Sequence, residues 1–183
     1  MPITLTRTVL AVLIPGGIAL IAWILLFLIQ IDTESANSFY HSYTIPINLC
    51  FFAATVIVGT VLEGINTHIE VLWDKEREEE YLVIENWYAY LSCTPNKEPV
   101  AFQYISRLVT TMYYELGMMF AGVSFGVGVS AIICKLKPEH FQCYAILVLT
   151  LSWASIMYFY WQAKKTHEVL CKTRKELVGR LKC

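Results

Sequence analysis

The sequence predicts an all-α integral membrane protein of four transmembrane helices, with spans two and three extended into a cytoplasmic helical hairpin. Three observations carry this prediction. Residues 8–30, 45–67, 106–133 and 140–161 are apolar, and each is long enough for a ~30 Å hydrocarbon core, which takes about 20 helical residues. The chain of 183 residues is 56% hydrophobic, with mean hydropathy +0.51, too apolar for a soluble fold that must keep a polar surface. Of its 14 Lys and Arg, only Lys135 and Lys137 fall on the side away from the termini, so the positive-inside rule puts both ends in the cytoplasm. Residues 1–183 thus read as a single four-span membrane domain, with 68–105 as a hairpin extension and 162–183 as a basic cytoplasmic tail.

Span one begins near Thr8 and is too long for a signal-peptide core, so it reads as a retained span. Pro15, followed by Gly16 and Gly17, predicts a bend near the cytoplasmic face because proline removes one internal hydrogen bond. Trp23 lies too deep for an interfacial belt and is expected to pack on a neighbour. Asp32 to Thr44 reads as a short polar outer loop, and Pro46 suits the opening turn of span two.

Toward its cytoplasmic end span two carries Glu63, Asn66, His68 and Glu70. Spacings of three, four and seven put Glu63, Asn66 and Glu70 on one helical face, while His68 projects elsewhere. No glycine or proline follows until Pro95, so the helix is expected to continue below the membrane to about Leu91. Glu78, Glu79 and Glu80 read as a solvated or partner-facing patch. The stretch from Ser92 to Pro99 supplies the turn, after which the chain returns into span three.

Span three is the most unusual of the four. Arg107, Thr111, Tyr114, Glu115 and Met118 trace a stripe, with Glu115 roughly 12 Å deeper than Arg107. A carboxylate at that depth must face protein, water or a partner; the candidates are Glu63, a tyrosine or another subunit. Gly117, Gly122, Gly126 and Gly128 form a packing surface, the middle pair at GxxxG spacing.

The third connection runs between Cys134 and Cys143, which either form a disulfide or stand as two independent thiols. Cys50, Cys93, Cys171 and Cys183 show no persuasive metal-ligand spacing, which gives a redox enzyme little support. Span four ends in Tyr158, Phe159, Tyr160 and Trp161, an interfacial anchor. The basic tail beyond it suits anionic lipid, another subunit or the acidic hairpin of the same chain.

No nucleotide-binding loop, metalloprotease signature or nucleophilic triad is present, and the net charge of −1 argues against nucleic acid. The leading expectation is a non-catalytic multi-pass component that assembles in the bilayer as a homo-oligomer or with other membrane subunits. One alternative is an ion or proton channel or transport subunit, with Glu63, Asn66, Arg107, Thr111, Tyr114 and Glu115 as the polar pathway. The other is a membrane-embedded metal-dependent enzyme, for which Glu63, His68 and Glu115 are the metal-ligand candidates. The sequence assigns neither a cofactor nor a catalytic residue, and it does not name the membrane.

Overall fold

The computed structural model describes residues 7–30, 33–92, 101–136, 139 and 141–181. The turn expected over Ser92 to Pro99 lies, apart from Ser92, outside them, as do Lys137 and Lys182. A π-helical turn, Val9–Leu13, leads into α1 (Ile14–Leu28). There follow α2 (Thr33–Ser42), α3 (Thr44–Tyr81), α4 (Val83–Ser92), α5 (Phe102–Leu136) and α6 (Phe141–Leu181). No strand occurs among the described residues. Four helical segments are long and apolar enough to cross a membrane: Val9–Leu28, Thr44–Tyr81, Phe102–Leu136 and Phe141–Gly179. The chain is therefore a multi-pass integral membrane protein with an all-α fold.

The bend expected at Pro15 takes the form of the π turn. Pro15 has no N–H and its ring crowds the carbonyl four residues back, so the preceding turn widens and the Ile14 N–H bonds to the Val9 carbonyl, five residues back. The widened turn lies against span two at its narrowest point. A Cβ on Gly16 would collide with the Thr55 carbonyl and stand 2.9 Å from the Gly59 nitrogen, and one on Gly59 would run into the Val12 backbone. Two backbones can approach this closely only where side chains are absent.

Helix α5 is the centre of the bundle, packed along α6 on one side and α1 on another. Glycines supply part of that fit within the single chain. A Cβ on Gly117 would stand 2.8 Å from Pro15 Cγ, one on Gly128 would stand 2.7 Å from Ala22 Cβ, and one on Gly126 would strike Ser152. Gly122 is looser, with Ser155 Oγ at 3.6 Å. Trp23 also meets a neighbour as expected, its indole N–H donating to Ser124 Oγ at 3.0 Å, while the Ser124 hydroxyl donates to the Ala19 carbonyl at 2.8 Å.

The connection after span one differs from the polar loop expected for it, because Thr33–Ser42 is helical. The segment holds neither glycine nor proline, and the rings of Phe39 and Tyr43 meet one turn apart at 5.0 Å, tilted by 44°. The helix ends at Tyr43, where the Thr44 hydroxyl folds back to the Tyr40 carbonyl at 2.7 Å. Cys134 and Cys143 are both free and exposed in this structure, Cys134 in the last turn of α5 and Cys143 in the first turn of α6.

At 38 and 41 residues, α3 and α6 measure about 57 and 62 Å, roughly twice a hydrocarbon core. Their excess length runs side by side beyond the membrane with α4 and the start of α5, forming a stem. The sequence reading carried α3 unbroken to Leu91, whereas it stops at Tyr81. Leu82 adopts a left-handed conformation (φ 47°, ψ 52°), unusual for a residue with a branched side chain, and α4 starts afresh. The side chain of Glu78 accepts the Ile84 N–H at 3.1 Å, satisfying an orphan donor of the new helix, and burial of Val83 and Tyr90 holds α4 in place.

Candidate metal centre on the stem

The stem is held by apolar contacts and by charge pairs between its two long helices. Tyr90 and Ile105 pack on Leu170 of α6, with Trp87, Leu177 and Val178 around them. Burial pushes the Tyr90 phenol above its ordinary range, against the opposing pull of the Arg174 charge. The basic tail continues as helix and lies on the acidic part of α3. Arg77 pairs with Glu168 at 3.4 Å and Lys164 with Glu76 at 3.6 Å, and Lys175 donates to the Glu80 carbonyl at 2.9 Å.

Between these helices lies a group of three potential metal ligands: Asp74 on α3, and His167 and Cys171 on α6. Each offers a ligand atom, and all three atoms lie within 4.8 Å of one another. His167 Nε2 stands 2.8 Å from Asp74 Oδ1, and Cys171 Sγ lies 3.8 Å from the same ring nitrogen. His167 is fully buried and Cys171 is 2% exposed, while Asp74 is partly open. The four-residue spacing of His167 and Cys171 puts both on one face of α6. Trp73 tilts against the imidazole at 5.5 Å and so limits the rotation of the ring. A hydrogen-bonded core trio would explain the His–Asp contact by itself. Helical spacing brings the Cys171 thiol to the same imidazole, and the three ligand atoms lie close enough for one ion to touch all of them.

A cleft of about 380 Å³ opens beside the group, and its walls include Asp74, Glu70, Trp87, Tyr88 and Arg174. Asp74 therefore belongs both to the buried trio and to an accessible cavity.

The residues singled out from the sequence fall into separate places. Glu63 is half-buried and pairs with Arg7 at 3.7 Å. Asn66 is fully buried; its amide donates to the Tyr113 carbonyl at 3.1 Å, while its Oδ1 is unpartnered. Glu115 accepts a 2.8 Å bond from Thr166 of α6, beyond the apolar part of that helix, and does not reach Glu63. His68 and Arg107 are exposed, and Thr111 and Tyr114 are half-buried. Glu63, His68 and Glu115 do not form a three-ligand group among the described residues.

Two features escaped the sequence reading. The tyrosine that organises the polar end of the bundle is Tyr113, one position before Tyr114. Its hydroxyl donates to Glu70 Oε2 at 2.6 Å and lies 3.1 Å from the Thr67 hydroxyl, and Arg7 sits over its ring at 5.5 Å. The other is the His167–Cys171 pair: contrary to the expectation of no metal-ligand spacing, Cys171 lies with His167 and Asp74 in one three-ligand group. A histidine and a cysteine four apart in a helix was the available signal.

Comparison of the chain with protein-family models, with curated proteins and with solved structures gave no match.

Proposed function

We propose that this multi-pass membrane protein carries a transition-metal centre on its stem, held by Asp74, His167 and Cys171, and uses it for metal-dependent enzymatic chemistry. The observation that carries the reading is the convergence of an oxygen, a nitrogen and a sulfur ligand within 4.8 Å, two of them buried. That mixed donor set suits Zn²⁺, which takes carboxylate, imidazole and thiolate alike. Three protein ligands leave a fourth position for an exchangeable group, the arrangement of catalytic rather than structural zinc sites. A zinc ion so held supplies Lewis acidity, and the cleft along Asp74 offers a substrate access to it. The distribution of Lys and Arg puts the stem in the cytoplasm, where a reducing environment keeps the Cys171 thiol available.

The test is metal content and Co²⁺ spectroscopy of protein purified in mild detergent. We expect one ion per chain and a thiolate-to-cobalt charge-transfer band, both lost in His167→Ala and Cys171→Ser and retained in the Glu63→Gln/Glu115→Gln double variant. Failure of the wild type to bind metal, or equal binding by the ligand variants, would overturn the proposal. Turnover of candidate ester substrates before and after chelation separates an enzyme from a non-catalytic metal-binding subunit. The mass of the metal-loaded particle reports whether a second copy or another subunit covers the exposed apolar faces of α3 and α6.

A further inference from the structure

We infer that the cleft beside the metal centre is a phosphate site in which Arg174 receives the anion. Arg174 is 5% exposed, its Nε is buried without a hydrogen-bond partner, and no carboxylate forms an ion pair with it among the described residues. A guanidinium cannot shed its charge by deprotonation, so burial without an anion leaves it uncompensated. Its one described contact is with Trp87, whose ring lies 4.3 Å from the guanidinium carbon. That contact fixes the plane of the fork and leaves its edge N–H groups for an acceptor.

The cleft provides the room. Its volume of about 380 Å³ exceeds what a single ion requires and suits a phosphate with an organic substituent. The two carboxylates on its wall are already engaged, Glu70 by the Tyr113 hydroxyl at 2.6 Å and Asp74 by His167 at 2.8 Å. Arg174 is the one cationic side chain among the residues lining this cleft. It follows Cys171 by three residues and His167 by seven, so all three share one face of α6. A dianion in the cleft would meet Arg174 on one side and the metal centre on another. The contact with Arg174 stands without the metal; only the second positive charge rests on the metal reading. Because the stem starts where the apolar spans end, the phosphate can belong to a lipid headgroup or to a soluble phosphate ester.

The experiment uses the full chain in nanodiscs of phosphatidylcholine, chelated or reloaded with Zn²⁺. Binding of inorganic phosphate is followed by calorimetry. A second arm compares the thermal stability of chain in discs with and without phosphatidic acid. We expect Arg174→Gln to weaken binding about tenfold or more, and Arg174→Lys, which keeps the charge but loses the fork, to weaken it about threefold. Phosphate binding in phosphatidylcholine discs identifies a soluble ester as the source; stabilisation by phosphatidic acid alone identifies a headgroup. Equal responses of wild type and both variants in both arms would overturn the inference. Should Arg174→Gln fail to fold, Arg174→Lys decides: binding at wild-type strength removes the forked contact. Arg174-dependent binding in a protein that takes up no Zn²⁺ would sink the metal reading and leave this one standing.

Discussion

The membrane-spanning half and the stem share the two long helices α3 and α6, yet they are held together by different forces. Within the spans the helices approach through missing side chains: Gly16 against Gly59, Gly117 against Pro15 and Gly128 against Ala22. Lipid tails are as apolar as leucine, so burial drives little association there and close van der Waals fit must supply it. In the stem, where water is the alternative solvent, large side chains such as Trp73, Tyr90 and Leu170 are buried and ion pairs line the rim. The contrast teaches where chemistry can sit. The spans combine glycine contacts with a buried row of Met112, Leu116 and Met119, whereas the stem also encloses an imidazole, a thiol and a guanidinium.

Three substitutions test this contrast. The largest effect is expected for Gly59→Leu, which pushes a side chain into the Val12 backbone. We expect about 3 kcal/mol of destabilisation or more, read as loss of a monodisperse peak in detergent. A well-folded variant would show that the glycine crossing is dispensable. Next comes Tyr113→Phe, at the boundary between the two regions, which removes the donor to Glu70 and leaves a carboxylate less well satisfied. A loss of about 1–2 kcal/mol is expected in denaturant unfolding, and no change would mean that water replaces the hydroxyl. The smallest effect belongs to Lys164→Ala on the stem rim, where the Glu76 pair at 3.6 Å is well exposed. We expect no more than ~0.5 kcal/mol, vanishing at high salt; a salt-independent loss would point to packing by the lysine stem instead.

The four spans were legible because twenty apolar residues in a row carry one physical message whatever their neighbours are. Pro15 and the glycines of α5 were legible for a related reason, since proline and glycine act through their own backbone. The break at Leu82 was not: a leucine carries no local signal for φ 47°, and the turn is imposed by α4 packing its Val83 and Tyr90 into the stem. The metal candidates illustrate the second limit. Asp74 and His167 are 93 residues apart, and nothing in either helix alone says that they face each other. Tyr113 shows a third: it bonds Glu70 and Thr67 from the edge of the buried face, while the stripe through Thr111, Tyr114 and Glu115 is half-buried beside it. The face that is buried runs through Ile105, Met112, Leu116 and Met119, with Tyr113 at its edge.

The unbroken course of α3 and α6 from bilayer to stem has a mechanical meaning. Asp74 rides on one rod and His167 with Cys171 on the other, so the trio is a clasp between two levers whose opposite arms lie in lipid. With an arm of about 20 Å, a change of ~5° in the crossing angle displaces the ligands by nearly 2 Å, far more than the ~0.2 Å tolerance of a coordination bond. Bilayer thickness and lateral pressure act on that angle through helix tilt. If the trio holds an ion as proposed, its affinity would be tied to the physical state of the surrounding membrane.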